Sequence, residues 1–94
     1  IEKHDLTELP DSFTLLSNLI HLYISNNWLT SLPVEFGDLT NLETLDLGYN
    51  QLESIPGSIG DLENIVYLFL FNNQLISLYF IALKRSTAII TILR

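Results

Sequence analysis

The groups in this chain able to act as acids, bases, nucleophiles or metal ligands are two histidines, His4 and His21, eleven carboxylates and scattered serines. Hydrolytic chemistry needs a nucleophile beside a base that a third group orients, and a metal site needs ligands at set spacings. Neither arrangement can be read here. Cysteine is absent, and there is no G-x-S-x-G elbow, no phosphate-cradling glycine loop and no H-E-x-x-H pair. The serines fall in turns, where side-chain capping accounts for them. The carboxylates come singly, so no inward-facing acid pair forms. The expectation is a non-enzymatic chain with no catalytic residue, no metal and no cofactor.

What remains is amide and aromatic chemistry, and it is periodic. Asparagine recurs at positions 27, 50 and 73, an interval of 23 residues both times, each followed two residues later by leucine. The same interval maps Leu22 onto Leu45 and Leu68, Ile24 onto Leu47 and Leu70, Phe36 onto Ile59, and Pro10 onto Pro33 and Pro56. Such a period marks a solenoid, in which each coil buries its apolar face only against its neighbours. In the unit 41–62, Leu45 and Leu47 alternate with Thr44, Asp46 and Gly48, as a short strand with one buried face requires. Asn50 closes the strand, where its amide can both donate to and accept from turn backbone, so one asparagine per coil builds a ladder. Pro56 suits the first position of a helical turn, and Ile59 and Leu62 are spaced for a 3₁₀ or helical turn on the outer side.

These residues, written as LxxLxLxxNxLxxLPxxFGxLxN, resemble the leucine-rich repeat family over residues 1 to about 78. The 23-residue length, the LP pair and Gly37-Asp38 or Gly60-Asp61 are similar to a subgroup found in Ras-scaffold, Scribble- and Erbin-like and bacterial repeat proteins. The resemblance implies an α/β fold: a right-handed solenoid with a short parallel sheet on its concave side and 3₁₀ or short helical turns on its convex side. It also implies that residues flanking the strand leucines form the contact surface. Residues 1–78 are expected to make about 3.5 coils and residues 79–94 a degenerate C-terminal cap. In that tail the beat is lost, since Tyr79 replaces the proline and Thr87 the asparagine. Its β-branched end favours a late strand. His4 occupies the place of a first ladder asparagine and reads as an imperfect ladder member.

Alternation turns His21, Tyr23 and Ser25 outward on one strand, Thr44, Asp46 and Gly48 on the next, with Tyr49 just beyond, and Tyr67, Phe69 and Phe71 on the third. Tyr23 and Phe69 then flank Asp46, while His21 lies one row from Asp46 with no nucleophile near. The result is a continuous aromatic patch with phenylalanine exposed at two alternate positions, a common mark of a contact site. The other readings of that patch are cover by the tail after Leu78, cover by further coils, or a meeting of two chains. Trp28 stands where the other repeats carry Gln51 and Gln74, and is expected to be partly exposed in a structural or a binding role.

Charge narrows the partner. Between His4 and Leu83 there is no lysine or arginine, while ten of the eleven acids lie there. Nucleic acid and anionic membranes need cationic surfaces, so both are excluded as expectations. No uninterrupted apolar run of about 20 residues is present to span a bilayer, because Lys84 and Arg85 divide the most apolar segment. Lack of cysteine and of an Asn-x-Ser/Thr sequon favours a cytoplasmic setting, with a secreted bacterial protein as the alternative. Opening on Ile1 inside the repeat, the chain reads as a piece of a longer one. The expected function is partner binding through His21, Tyr23, Asp46, Tyr49, Tyr67, Phe69 and Phe71, toward a protein with a basic patch. The alternative is a structural or self-associating repeat that forms a weak homodimer.

Overall fold

The computed structural model describes residues 5–74 and the backbone of a strand at 89–91. Three strands, β1 (His21–Tyr23), β2 (Thr44–Asp46) and β3 (Tyr67–Phe69), lie parallel in sequence order, and β4 (Ile89–Thr91) adds to β3. From β1 to β3 the register advances by one repeat, pairing Leu22 with Leu45 and Leu45 with Leu68. At β4 it slips, since Tyr67 pairs with Ile89, an offset of 22. A strand late in the tail therefore forms where β-branched residues favour it. The remainder of the expected cap 79–94, and His4, lie outside the described residues.

Each strand is only three residues long because the coil must turn at once. The pairing continues past the strand ends, with Ile24 N–H donating to the Asp46 carbonyl and Leu47 N–H to that of Phe69, both at 2.9 Å. Residues 26, 49 and 72 then take positive φ, at 62°, 56° and 57°. The ladder asparagine follows. Asn50 Oδ1 accepts from Leu29 N–H of the preceding coil at 3.0 Å, and its Nδ2 donates to the carbonyls of Ile24, Leu47 and Gly48. Asn73 repeats this set on Leu52, Leu47, Leu70 and Phe71. Asn27 accepts from Leu6 and donates to Ile24 and Ser25.

The outer segments are 3₁₀ turns at Asp11–Leu15, Phe36–Asp38 and Gly57–Asp61. No α-helix occurs among the described residues, because so short a connection completes only about one turn. The prolines precede these turns and stay out of them. Pro10 and Pro56 are extended, with ψ of 153° and 145°, which corrects the expected first-turn position of Pro56. Their carbonyls, and that of Pro33, accept the N–H three residues on at 2.9–3.1 Å.

The interior is one column of aliphatic side chains. Leu22, Ile24, Leu29, Leu39, Leu42, Leu45, Leu47, Leu52, Leu62, Ile65, Leu68 and Leu70, with Phe36 and Ile59, form a single buried cluster. Burial of such side chains stabilises by about 1.5–3 kcal/mol each before entropy is counted. Gly37 lets the convex sides close up. A Cβ there would collide with the Ser58 carbonyl oxygen, while Gly37 N–H donates to Ser58 Oγ at 3.0 Å. Gly37→Ala is expected to destabilise by about 1–3 kcal/mol, read from the urea midpoint, because backbone must move to admit the methyl. A change below about 0.5 kcal/mol would mean the coils pack less tightly than this contact requires.

Candidate functional site

The outward side of β1–β3 carries the expected residues in the expected rows. Tyr23 pairs with Asp46 and Asp46 with Phe69, so the carboxylate lies between two aromatic residues. In the adjoining row His21, Thr44 and Tyr67 are in register. Rings run along the C-terminal flank: Tyr67 stacks on Phe69 at 6.0 Å, Phe69 meets Phe71 edge-on at 6.2 Å, and Phe71 meets Tyr49 edge-on at 5.4 Å. His21 stacks on Tyr23 at 6.4 Å.

Several details depart from the sequence reading. Phe69 and Phe71 are half-buried rather than freely exposed. Their rings cover one another, and Phe71 lies over Gly48, so close that a Cβ on Gly48 would meet the ring at 2.8 Å. Gly48 is thereby buried and does not add to the open surface. Thr44, expected outward and open, is buried and has its hydroxyl 3.0 Å from His21 Nδ1. Asp46 is half-buried and accepts from Gly48 N–H at 3.0 Å. That bond holds its carboxylate on the strand while leaving acceptor capacity for a second donor. Tyr23, Tyr49 and Tyr67 are the well-exposed rings of the group, at 48%, 52% and 43%.

Sequence reasoning missed a second feature at the turns that follow the strands. Asn26, Trp28, Tyr49, Gln51 and Asn72, with the ladder residues Asn27 and Asn50 behind them, line a groove of about 370 Å³. Asn27 N–H donates to the Tyr49 carbonyl at 3.2 Å, which brings Trp28 and Tyr49 together across the junction of two coils. Trp28 is half-exposed, as expected. The signal was available: tryptophan stands where the repeat has glutamine, and tyrosine where it has asparagine. Tyr49 also adopts a positive φ that asparagine tolerates and tyrosine does so at a cost of about 1 kcal/mol. Its edge-on contact with Phe71 offsets part of that, since such pairs contribute about 0.5–1.5 kcal/mol.

Among the described residues no cluster of three His, Cys, Asp or Glu is placed to hold a metal ion. No helix among them is long and apolar enough to cross a membrane.

Comparison with known proteins agrees with this geometry. A family model described as leucine-rich repeats (two copies) matches residues 17–62 and again 40–83. Among solved structures, a leucine-rich repeat protein of Leptospira interrogans is similar at 39% identity with a TM-score of 0.74, covering 80% of this chain. The chain spans 19% of that protein's length. No curated protein sequence gives a significant match. Matched from residue 17 to 83, and built of stacked 23-residue coils joined by an asparagine ladder, the chain belongs to the leucine-rich repeat family.

Proposed function

We propose that this chain is a non-enzymatic module that binds a protein partner on the concave face of its sheet. Leucine-rich repeats generally mediate protein–protein interaction, and the continuous run of rings from Tyr67 through Phe69 and Phe71 to Tyr49 is the observation that carries the reading here. Aromatic anchors supply large contact area and dominate affinity in most interfaces. Asp46, between Tyr23 and Phe69, suits a lysine or arginine of the partner: the carboxylate meets the charge and the rings pack on its stem or guanidinium plane. His21 orders Tyr23 at the edge of the row. The acidic balance of the chain favours a partner with a basic patch. The test compares the affinity of a captured partner for the intact chain with its affinity for the Phe69→Ser, Phe71→Ser variant. Unaltered affinity with an intact circular dichroism spectrum would end the proposal.

A second reading is self-association, which the exposed rings of Tyr23, Tyr49 and Tyr67 on the same face would also serve. Light scattering over a concentration series separates the two readings. The binding-module reading predicts a monomer mass up to about 1 mM, and a rise toward twice that mass would favour self-association, whose millimolar affinity corresponds to about −4 kcal/mol.

A further inference from the structure

We propose that the groove at Trp28 and Tyr49 is a binding site for a neutral carbohydrate, adjoining the protein-binding face and sharing Tyr49 with it. Two departures from the repeat converge on it. Tryptophan replaces the glutamine of positions 51 and 74, and tyrosine replaces the asparagine of positions 26 and 72 in a backbone conformation that suits asparagine better. Both rings are 52% exposed, so neither is held there by core packing. The groove, about 370 Å³, is shallow and open to solvent, so a ligand would lie along it with one face on the rings.

The lining defines the ligand. Apart from the two aromatic rings it consists of carboxamides, and no charged side chain contributes among the described residues. Asn27 and Asn50 are committed to the ladder, and the other carboxamides of the lining are Gln51, Asn72 and Asn26. A carboxamide donates and accepts at once, as a sugar hydroxyl does, so the two match group for group. A pyranose also has an apolar C–H face, which packs on the electron-rich face of an indole. A charged ligand would find no countercharge here. A proline-rich segment would pack on the rings, but its backbone offers carbonyl acceptors alone and leaves the amide oxygens unmatched.

Trp28 is the single tryptophan of the chain, so its emission reports on this groove alone. The intact chain is titrated with cellohexaose and with N-acetylchitohexaose, with decaproline as the competing class. The expected result is a saturable emission change with one or both sugars at a midpoint below about 1 mM. By calorimetry, Trp28→Gln weakens that binding by about tenfold or more, and Tyr49→Asn weakens it in the same direction. Both variants install the residue that the other coils already carry, so their circular dichroism stays unchanged. The Asp46→Asn variant, changed at a residue of the partner face outside the groove lining, keeps its sugar affinity, which distinguishes this site from the partner contact. No change with either sugar up to about 10 mM, saturation by decaproline in place of sugar, or sugar binding that survives Trp28→Gln would overturn the proposal.

Discussion

Replacement of Asn50 by alanine is expected to lower the unfolding free energy by about 3–5 kcal/mol, a larger loss than the one expected for Gly37→Ala. The reason is that one buried amide serves two coils. Its oxygen is the acceptor for Leu29 N–H, and its nitrogen donates to the Ile24, Leu47 and Gly48 carbonyls. Alanine leaves the Leu29 N–H without that acceptor inside the solenoid, which costs about 1–3 kcal/mol, and removes three further bonds at roughly 1 kcal/mol or less each. The carbonyls are partly spared, since Ile24 also accepts from Asn27, Leu47 from Asn73, and Gly48 from Asn26 N–H. A domain of this length holds only about 5–14 kcal/mol in total, so the variant should be close to unfolding at body temperature.

Two controls sharpen the test. Asn50→Asp keeps the acceptor but turns a lone pair toward three carbonyls, and should be at least as damaging as alanine. Asn64→Ala, by contrast, removes a single exposed bond to the Thr40 carbonyl at 2.9 Å, and should cost under about 1 kcal/mol. Denaturant unfolding followed by circular dichroism reads all three. A loss below about 1 kcal/mol for Asn50→Ala would show that the ladder does not hold the coils together.

The second large effect concerns binding. Phe69→Ser with Phe71→Ser should weaken partner affinity by about 100-fold or more, since two anchor residues each contribute about 2 kcal/mol or more at a hot spot. Folding should survive, because both rings sit on the outward face and the buried column beneath, Leu68 and Leu70, is untouched. Some stability will be lost as Phe71 leaves Gly48 uncovered, so the unfolding midpoint must be measured alongside. Asp46→Asn separates charge from shape. It keeps the oxygen that accepts from Gly48 N–H and removes the negative charge, so it should slow association and flatten the salt dependence.

Most of the frame was legible in the sequence because a constant repeat length fixes register. Once Leu22, Leu45 and Leu68 are known to be equivalent, Tyr23, Asp46 and Phe69 must fall in one row. The pairing has that order. What the period could not give depends on the sizes of particular neighbours. Thr44 is buried because His21 beside it is large enough to cover and bond it. Phe69 and Phe71 are half-buried because the rings next to them shield one another. Pro56 lies one step ahead of the position its fixed φ suggests, since an extended proline can launch a 3₁₀ turn through its carbonyl without entering it. The register slips at β4, beyond the point where the asparagine and proline beat ends in the sequence.

Cross-saturation by nuclear magnetic resonance, from a captured partner to the isotope-labelled chain, asks most directly where that partner sits. The account predicts attenuation centred on Tyr23, Asp46, Tyr67, Phe69 and Phe71, with little on the 3₁₀ turns. Attenuation centred on Asp11–Leu15, Phe36–Asp38 and Gly57–Asp61 would place the partner on the opposite side and contradict it.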